Sequence, residues 1–221
     1  MIVNDRITEY IKSLETDRNG LLTEIGEKAR MEGVPVIREE TAAFLQTMTA
    51  AIQPQAILEV GTAVGYSALL MAEVMPRDCH ITTIEKYEKR IPQAKSNFEK
   101  AGETDRITLY EGDAEEVLEG LNGPFDLVFL DAAKGQYLVW LPRILELLRP
   151  GGMLISDNVL QDGDIIESRY AVERRNRTIH TRMRDYLFEL KHCDQLITSV
   201  VPIGDGITVS ILKEKYERGV S

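Results

Sequence analysis

Three oxygen-bearing side chains, Asp131, Asp157 and Asn158, close two apolar runs, Leu127-Val128-Phe129-Leu130 and Met153-Leu154-Ile155-Ser156. A continuous apolar run suits a parallel strand buried on both faces. Its carboxyl end then falls on the rim where open α/β sheets bind ligands. Two carboxylates and an amide oxygen from neighbouring strands make a hard-cation site with positions left for water or substrate oxygens, the kind Mg²⁺ prefers. The plainer alternative for Asp157-Asn158 is a turn or helix-cap pair, where both residue types are common.

A second constellation lies upstream. Ala56-Ile57-Leu58-Glu59-Val60 is an apolar run broken by one acid, followed by Gly61, Gly65 and the apolar helical pattern from Tyr66 to Ala72. Strand, glycine turn and helix form the layout of a nucleotide-binding βα unit. Glycine there lets the backbone turn sharply and lets a ligand come close. The spacing is not G-x-G-x-x-G, which argues against a dinucleotide dehydrogenase. The β-branched run His80 to Ile84 ends in Glu85, ~20 residues after the glycine turn, where a ribose-binding carboxylate is expected. A carboxylate can accept from both hydroxyls of a ribose diol; taken alone, Glu85 is also a plain solvated acid at a strand end. With Asp113-Ala114 after the run Ile107 to Tyr110, the rim collects Glu59, Glu85, Asp113, Asp131, Asp157 and Asn158.

Positioning such groups requires strands alternating with helices, and the chain supplies them. Helical spacing marks residues 2–14 (Ile7, Tyr10, Ile11, Leu14), 21–32 and 38–52, then 87–101, 115–121 and 137–148, the last despite Pro142. Gly102 reads as a helix stop, and Pro150-Gly151-Gly152 as a turn. A helix carries the arginine-rich stretch through Leu190. Runs 196–202 and 207–212 flank Gly204-Asp205-Gly206, a hairpin-type turn. The expectation is an α/β, Rossmann-like, mostly parallel seven-stranded sheet, with helices on both faces and an antiparallel C-terminal edge strand. One domain spans 1–221: a helical cover at 1–53, then an α/β core at 54–221 with a basic insert at about 161–191.

At 221 residues, 43% hydrophobic and 28% charged, the composition is ordinary for a soluble globular domain. No apolar run is long enough to span a bilayer, and Met1 to Thr16 lacks the form of a signal peptide, so no membrane partner is expected. Cys79 and Cys193 have no metal-like or C-x-x-C neighbour, so they read as free thiols in a reducing cytoplasm. The net charge of −10 argues against wholesale nucleic-acid binding. Yet Arg169, Arg174, Arg175, Arg177, Arg182 and Arg184 face only Glu173 between positions 169 and 184. Such a patch suits phosphates. Its simpler reading is an amphipathic helix with Ile179, Met183 and Leu187 on one face, available for a homodimer contact.

Together, E-V-G-T-A-V-G-Y-S, F-L-D-A-A-K-G-Q-Y, S-D-N-V-L and P-I-G-D-G-I-T resemble the cation-dependent class I O-methyltransferases of the catechol and caffeoyl-CoA type, from about Val36 to Leu212. Within that family the arginine-rich insert, V-G-T-A-V-G-Y-S-A, D-A-A-K-G-Q-Y and D-N-V-L look most similar to the bacterial tRNA 5-hydroxyuridine methyltransferases. The resemblance implies S-adenosyl-L-methionine as donor. Its methionine end would lie at the Glu59–Gly65 turn with Ser67 at the helix start, its ribose at Glu85 and its adenine at Asp113-Ala114, with Val36 and Ile37 as cover. It also implies Asp131, Asp157 and Asn158 as ligands of Mg²⁺ or another divalent cation. Asp131 would additionally face the cofactor and share the catalytic role with Lys134, which would be the general base. Ala63 and Val64 depart from the bulkier or polar residues of relatives.

The implied reaction is an in-line displacement at the sulfonium methyl, with the acceptor oxygen deprotonated and held in line. A two-oxygen chelate at the cation fits the 5-OH and C4 carbonyl of 5-hydroxyuridine as well as a catechol. The arginines, with Arg169, Arg174, Arg175 and Arg177 as contacts to tRNA, favour tRNA 5-hydroxyuridine, made into 5-methoxyuridine. The alternative acceptors are small catechol-like or caffeoyl-CoA-like molecules. A non-catalytic nucleotide-binding module is disfavoured by the intact set of Asp131, Lys134, Asp157 and Asn158.

Overall fold

The computed structural model describes residues 4–14 and 20–214. The expected start of the first helix at Ile2 lies outside them, as do residues 15–19. Seven strands form one sheet: β1 (Ala56–Val60), β2 (His80–Glu85), β3 (Ile107–Glu111), β4 (Phe125–Leu130), β5 (Leu148–Ser156), β6 (Leu196–Val201) and β7 (Ile207–Leu212). Their order is β3-β2-β1-β4-β5-β7-β6. Strands β1 to β5 pair in parallel. The C-terminal hairpin closes the sheet, β7 running antiparallel to β5 and β6 lying outside it.

Side-chain alternation along the strands divides the core in two. Ile57, Ile81, Leu127, Phe129 and Ile155 face one side, against α2 (Gly20–Met31), α3 (Glu39–Ile52), α4 (Tyr66–Val74) and α5 (Ile91–Ala101). Leu58, Val60, Val128, Leu130 and Leu154 face the other, against α6 (Ala114–Gly120), α7 (Tyr137–Leu147) and α8 (Arg177–His192). Each fully buried Leu, Ile or Phe of this kind contributes about 1.5–3 kcal/mol. The first helix, α1 (Asp5–Ser13), starts at Asn4, whose side chain accepts from the Arg6 amide. α2 and α3 pack into the same core as α4.

Three local expectations are corrected. The fifth helix begins at Ile91, not Tyr87, because the Glu85 carboxylate accepts the Tyr87 amide and Arg90 closes a turn onto the Tyr87 carbonyl. Residues 150–152 lie within β5, opposite a register shift at Phe125 and Leu127. The arginine-rich stretch is not one helix. Only its second half is helical: turns at 169–171 and a 3-10 turn at Arg174–Asn176 precede α8, which starts at Arg177. Upstream of it, the insert begins with the 3-10 turn Gln161–Ile166, broken by positive φ at Asp162 and Gly163. Of the α8 face read as a possible dimer contact, Met183 is fully buried and Leu187 packs against the α7–α8 core, while Ile179 is exposed.

Candidate active site

Neighbouring β1 and β4 continue to opposite sides of the sheet, so the strand order reverses between them. Ligands bind at such a switch point in open α/β sheets. A cavity of about 390 Å³ opens there, beside the carboxyl ends of the strands. The Gly61 and Thr62 amides both donate to the Ile84 carbonyl, at 3.0 and 3.2 Å. Gly61 has φ +109°, and a Cβ there would overlap the main-chain carbonyl of Asp131. Only glycine permits this approach of the β1 turn to the end of β4.

At one end of the cavity the Glu85 carboxylate accepts the Ala63 amide at 2.7 Å and the Tyr87 amide at 2.8 Å. Each oxygen keeps a lone pair for another donor, as a ribose diol requires. Asp113 caps α6, accepting the Glu115 amide at 3.0 Å, and pairs with Lys86 at 3.3 Å. The Glu115 amide holds its carboxyl below the usual range, with Lys86 adding to the effect. Ala114, Pro35 and Trp140 complete the wall.

Glu59, Gly65 and Ser67 do not line this cavity. Glu59 shares strand parity with Ile57, so it points beneath the turn towards α4 rather than onto the rim. It is fully buried, and Ser67 Oγ and Thr83 Oγ1 each donate to it at 2.5 Å. Burial pushes its pKa up to about 7, against the two hydroxyl bonds, which act to lower it. Gly65 has φ +84°, and a Cβ there would stand 2.5 Å from the Phe98 ring. Its small size therefore serves the packing of α4 on α5.

The expected cation ligands do converge. Asn158 Nδ2 lies 3.3 Å from Asp131 Oδ1 and 3.0 Å from Asp157 Oδ2, and Lys134 Nζ donates to Asn158 Oδ1 at 2.9 Å. Burial pushes Asp131 up to about 6, opposed by Lys134 and Asn158. Burial, then the Asp131 charge, raises Asp157 well above the usual carboxylate range. Two desolvated carboxylates facing each other call for a positive charge between them. Among the described residues no three His, Cys, Asp or Glu side chains form a metal cluster; the further oxygen beside the two carboxylates is that of the Asn158 amide. A half-turn of the Asn158 amide presents its oxygen instead of its nitrogen. The donor set then fits a hard divalent cation.

A second cavity of about 130 Å³ lies beside the first. Val36 and Ile37 line it, not the larger cavity they were expected to cover, together with Asp157 and Asp205. Asp131 and Asn158 line both cavities.

The arginines part company. Arg169 and Arg174 are exposed, and Arg175 pairs with Glu173 at 2.7 Å. Arg177, expected as an RNA contact, instead donates to the Val172 and Tyr170 carbonyls at 3.2 Å and lies over the Tyr170 ring, closing its own loop. Arg182 donates to the Gly135 carbonyl at 3.0 Å, next to Lys134. Arg184 reaches the Ile165 carbonyl at 3.3 Å.

Sequence reasoning passed over Arg38, Tyr137 and Asp205. Tyr137 stood at the end of D-A-A-K-G-Q-Y, and Asp205 within P-I-G-D-G-I-T, where it read only as a turn residue. Nothing near Arg38 in sequence signals its two distant acidic partners.

A reversed strand order, an acid closing β2 and a glycine turn pressed against β4 define a Rossmann-like fold, and with β7 antiparallel beside β5 it is the fold of solved methyltransferases. The chain belongs to the O-methyltransferase family, whose model matches residues 14–213. It is thus a methyltransferase enzyme. It is 31% identical to a catechol O-methyltransferase of Niastella koreensis, over 74% of this chain and 76% of that one. It is 32% identical to caffeoyl-CoA O-methyltransferase 1 of Eucalyptus globulus, over 75% and 70%. The SAH-bound Podospora anserina methyltransferase PaMTH1 superposes with TM-score 0.86 at 27% identity, covering 95% of each chain.

Proposed function

We propose that this chain is a cation-dependent enzyme that moves a methyl group from S-adenosylmethionine to a hydroxyl of a small, catechol-like acceptor carrying two adjacent oxygens. One observation carries the reading: Asp131 and Asn158 belong to both cavities. The larger chamber suits a nucleoside-bearing donor beside Glu85, and its volume falls in the range of small-molecule sites. The smaller suits a single ring, and the cation ligands stand between them. The names of the Niastella and Eucalyptus relatives support the acceptor class, and the SAH in the Podospora structure supports the donor.

S-adenosylmethionine supplies an electrophilic methyl group. A divalent cation held by Asp131, Asp157 and Asn158 supplies positive charge that makes a nearby hydroxyl more acidic. The rest falls to the chain. Glu85 accepts from the ribose. Lys134, whose Nζ lies 2.9 Å from the side-chain amide of Asn158, takes the acceptor's proton and releases it to water. The two chambers fix the approach line of oxygen to methyl. The test is transfer of labelled methyl to a small catechol with Mg²⁺ and with chelator. Equal rates in both would dismiss the cation, and no transfer would dismiss the acceptor class.

A second reading keeps 5-hydroxyuridine of tRNA as acceptor. It is favoured by exposed Arg169 and Arg174, on a segment that reaches Gly135 beside Lys134 through Arg182. Reversing Arg174 and Arg175 to Glu separates the two. It should cut transfer to undermodified tRNA while sparing the catechol, and equal transfer to tRNA by both proteins would remove this reading.

A further inference from the structure

We propose that Arg38 sets the size of acceptor this enzyme admits, by clasping the smaller chamber shut across its outer end. The inference rests on the reading of that chamber as the acceptor site. The inner end is Asp157 and Thr41, 3% and 2% exposed. The outer end carries the side chains of Arg38 and Asp205, 34% and 20% exposed. Arg38 is ion-paired with Asp205, and its Nη2 also lies 2.8 Å from Asp162 Oδ1. One guanidinium thus ties together three separate stretches: the connector 34–38, the 3-10 turn Gln161–Ile166 and the hairpin turn 202–206.

Main-chain contacts bring the two carboxylates into place. The Leu160 amide donates to the Asp205 carbonyl at 3.0 Å, and the Val159 amide to the Gly206 carbonyl at 2.8 Å. A Cβ at Gly204 would overlap Thr41, and one at Gly206 would overlap Leu160, so the hairpin turn is wedged between α3 and the loop after Asn158. The Asp162 and Asp205 carboxylates both lie against the one Arg38 Nη2. Two acids so close repel when both are ionised, and the guanidinium charge shared between them offsets that repulsion. Without Arg38 that repulsion acts to part the two segments and open the chamber. With the clasp closed, about 130 Å³ accommodates one small ring; a bulkier acceptor must displace it.

Arg38→Ala and Arg38→Lys are to be compared with the wild-type chain by two readouts. The first is kcat/KM for a small catechol and for a caffeoyl thioester of coenzyme A. The expected result for Arg38→Ala is a bulky-to-small ratio raised about fivefold or more, with Arg38→Lys in between. An unchanged ratio overturns the inference. The second readout is hydrogen exchange, which needs no activity. Faster exchange of 34–38, 161–166 and 202–206 together supports the clasp, and faster exchange of 34–38 alone overturns it. If wild-type protein methylates neither acceptor, the proposed function fails while the exchange data still decide the clasp.

Discussion

The Tyr137 hydroxyl donates to the Leu130 carbonyl at 3.1 Å, directly behind the carboxylate that β4 presents. It also accepts the Ala132 amide at 3.2 Å and lies 3.4 Å from the Asp157 carbonyl. A single buried hydroxyl thus spans the ends of both strands that carry the acids. Tyr137→Phe keeps the ring and removes the tie. Leaving the Ala132 amide without its partner should cost about 1–3 kcal/mol. Mg²⁺ titration of activity should show a higher half-saturating concentration than in the wild type, and an unchanged titration would reduce Tyr137 to a core residue.

Asp157→Ala should lower kcat by about a hundredfold or more yet leave donor binding nearly intact, because Asp157 lines only the smaller chamber. Calorimetry with S-adenosylmethionine, run beside turnover, checks both halves. A parallel loss of donor binding would mean that the variant disturbs the sheet end instead.

Glu85→Gln should weaken donor affinity by about tenfold to a hundredfold, the value of one charge-assisted hydrogen bond. The loss should be smaller for a donor analogue lacking the ribose hydroxyls. Equal losses for both would assign Glu85 to holding the Ala63 and Tyr87 amides alone.

Glu59, pushed up from 4.5 to about 7, binds a proton in the folded chain that the unfolded chain has released. Its contribution to stability is therefore complete below pH 4.5 and is lost as the pH rises through 7. Across that window the slope is roughly 1 kcal/mol per pH unit. Denaturant melts of Glu59→Gln between about pH 5 and pH 8 should lack this decline, and a variant curve parallel to the wild type would place the titration elsewhere.

The strand ends were legible because their runs are unambiguous. Leu127 to Leu130 is apolar throughout and becomes β4, so Asp131 had to fall on the rim. Gly61 was legible as a turn, though its reason is contact with Asp131 rather than with a ligand alone. Glu59 misled because it sits near a strand end, whereas strand parity decides which way a side chain points. The arginine-rich stretch misled because its periodicity looks helical, while turns at 169–171 and the 3-10 turn Arg174–Asn176 hold its first half as loop. Arg38 was beyond reach, since its partners come from the far half of the chain and only the folded sheet brings them near.

The contact of Gly61 with the Asp131 carbonyl has a bearing on how this enzyme tolerates change. Main chain touches main chain there, so the spacing between the β1 turn and the end of β4 is dictated by the peptide scaffold and not by any adjustable rotamer. Walls built of side chains can be remodelled for new molecules without detuning that separation. A methyl group added at position 61 cannot be absorbed in this way, and directed evolution should find almost no substitution accepted there.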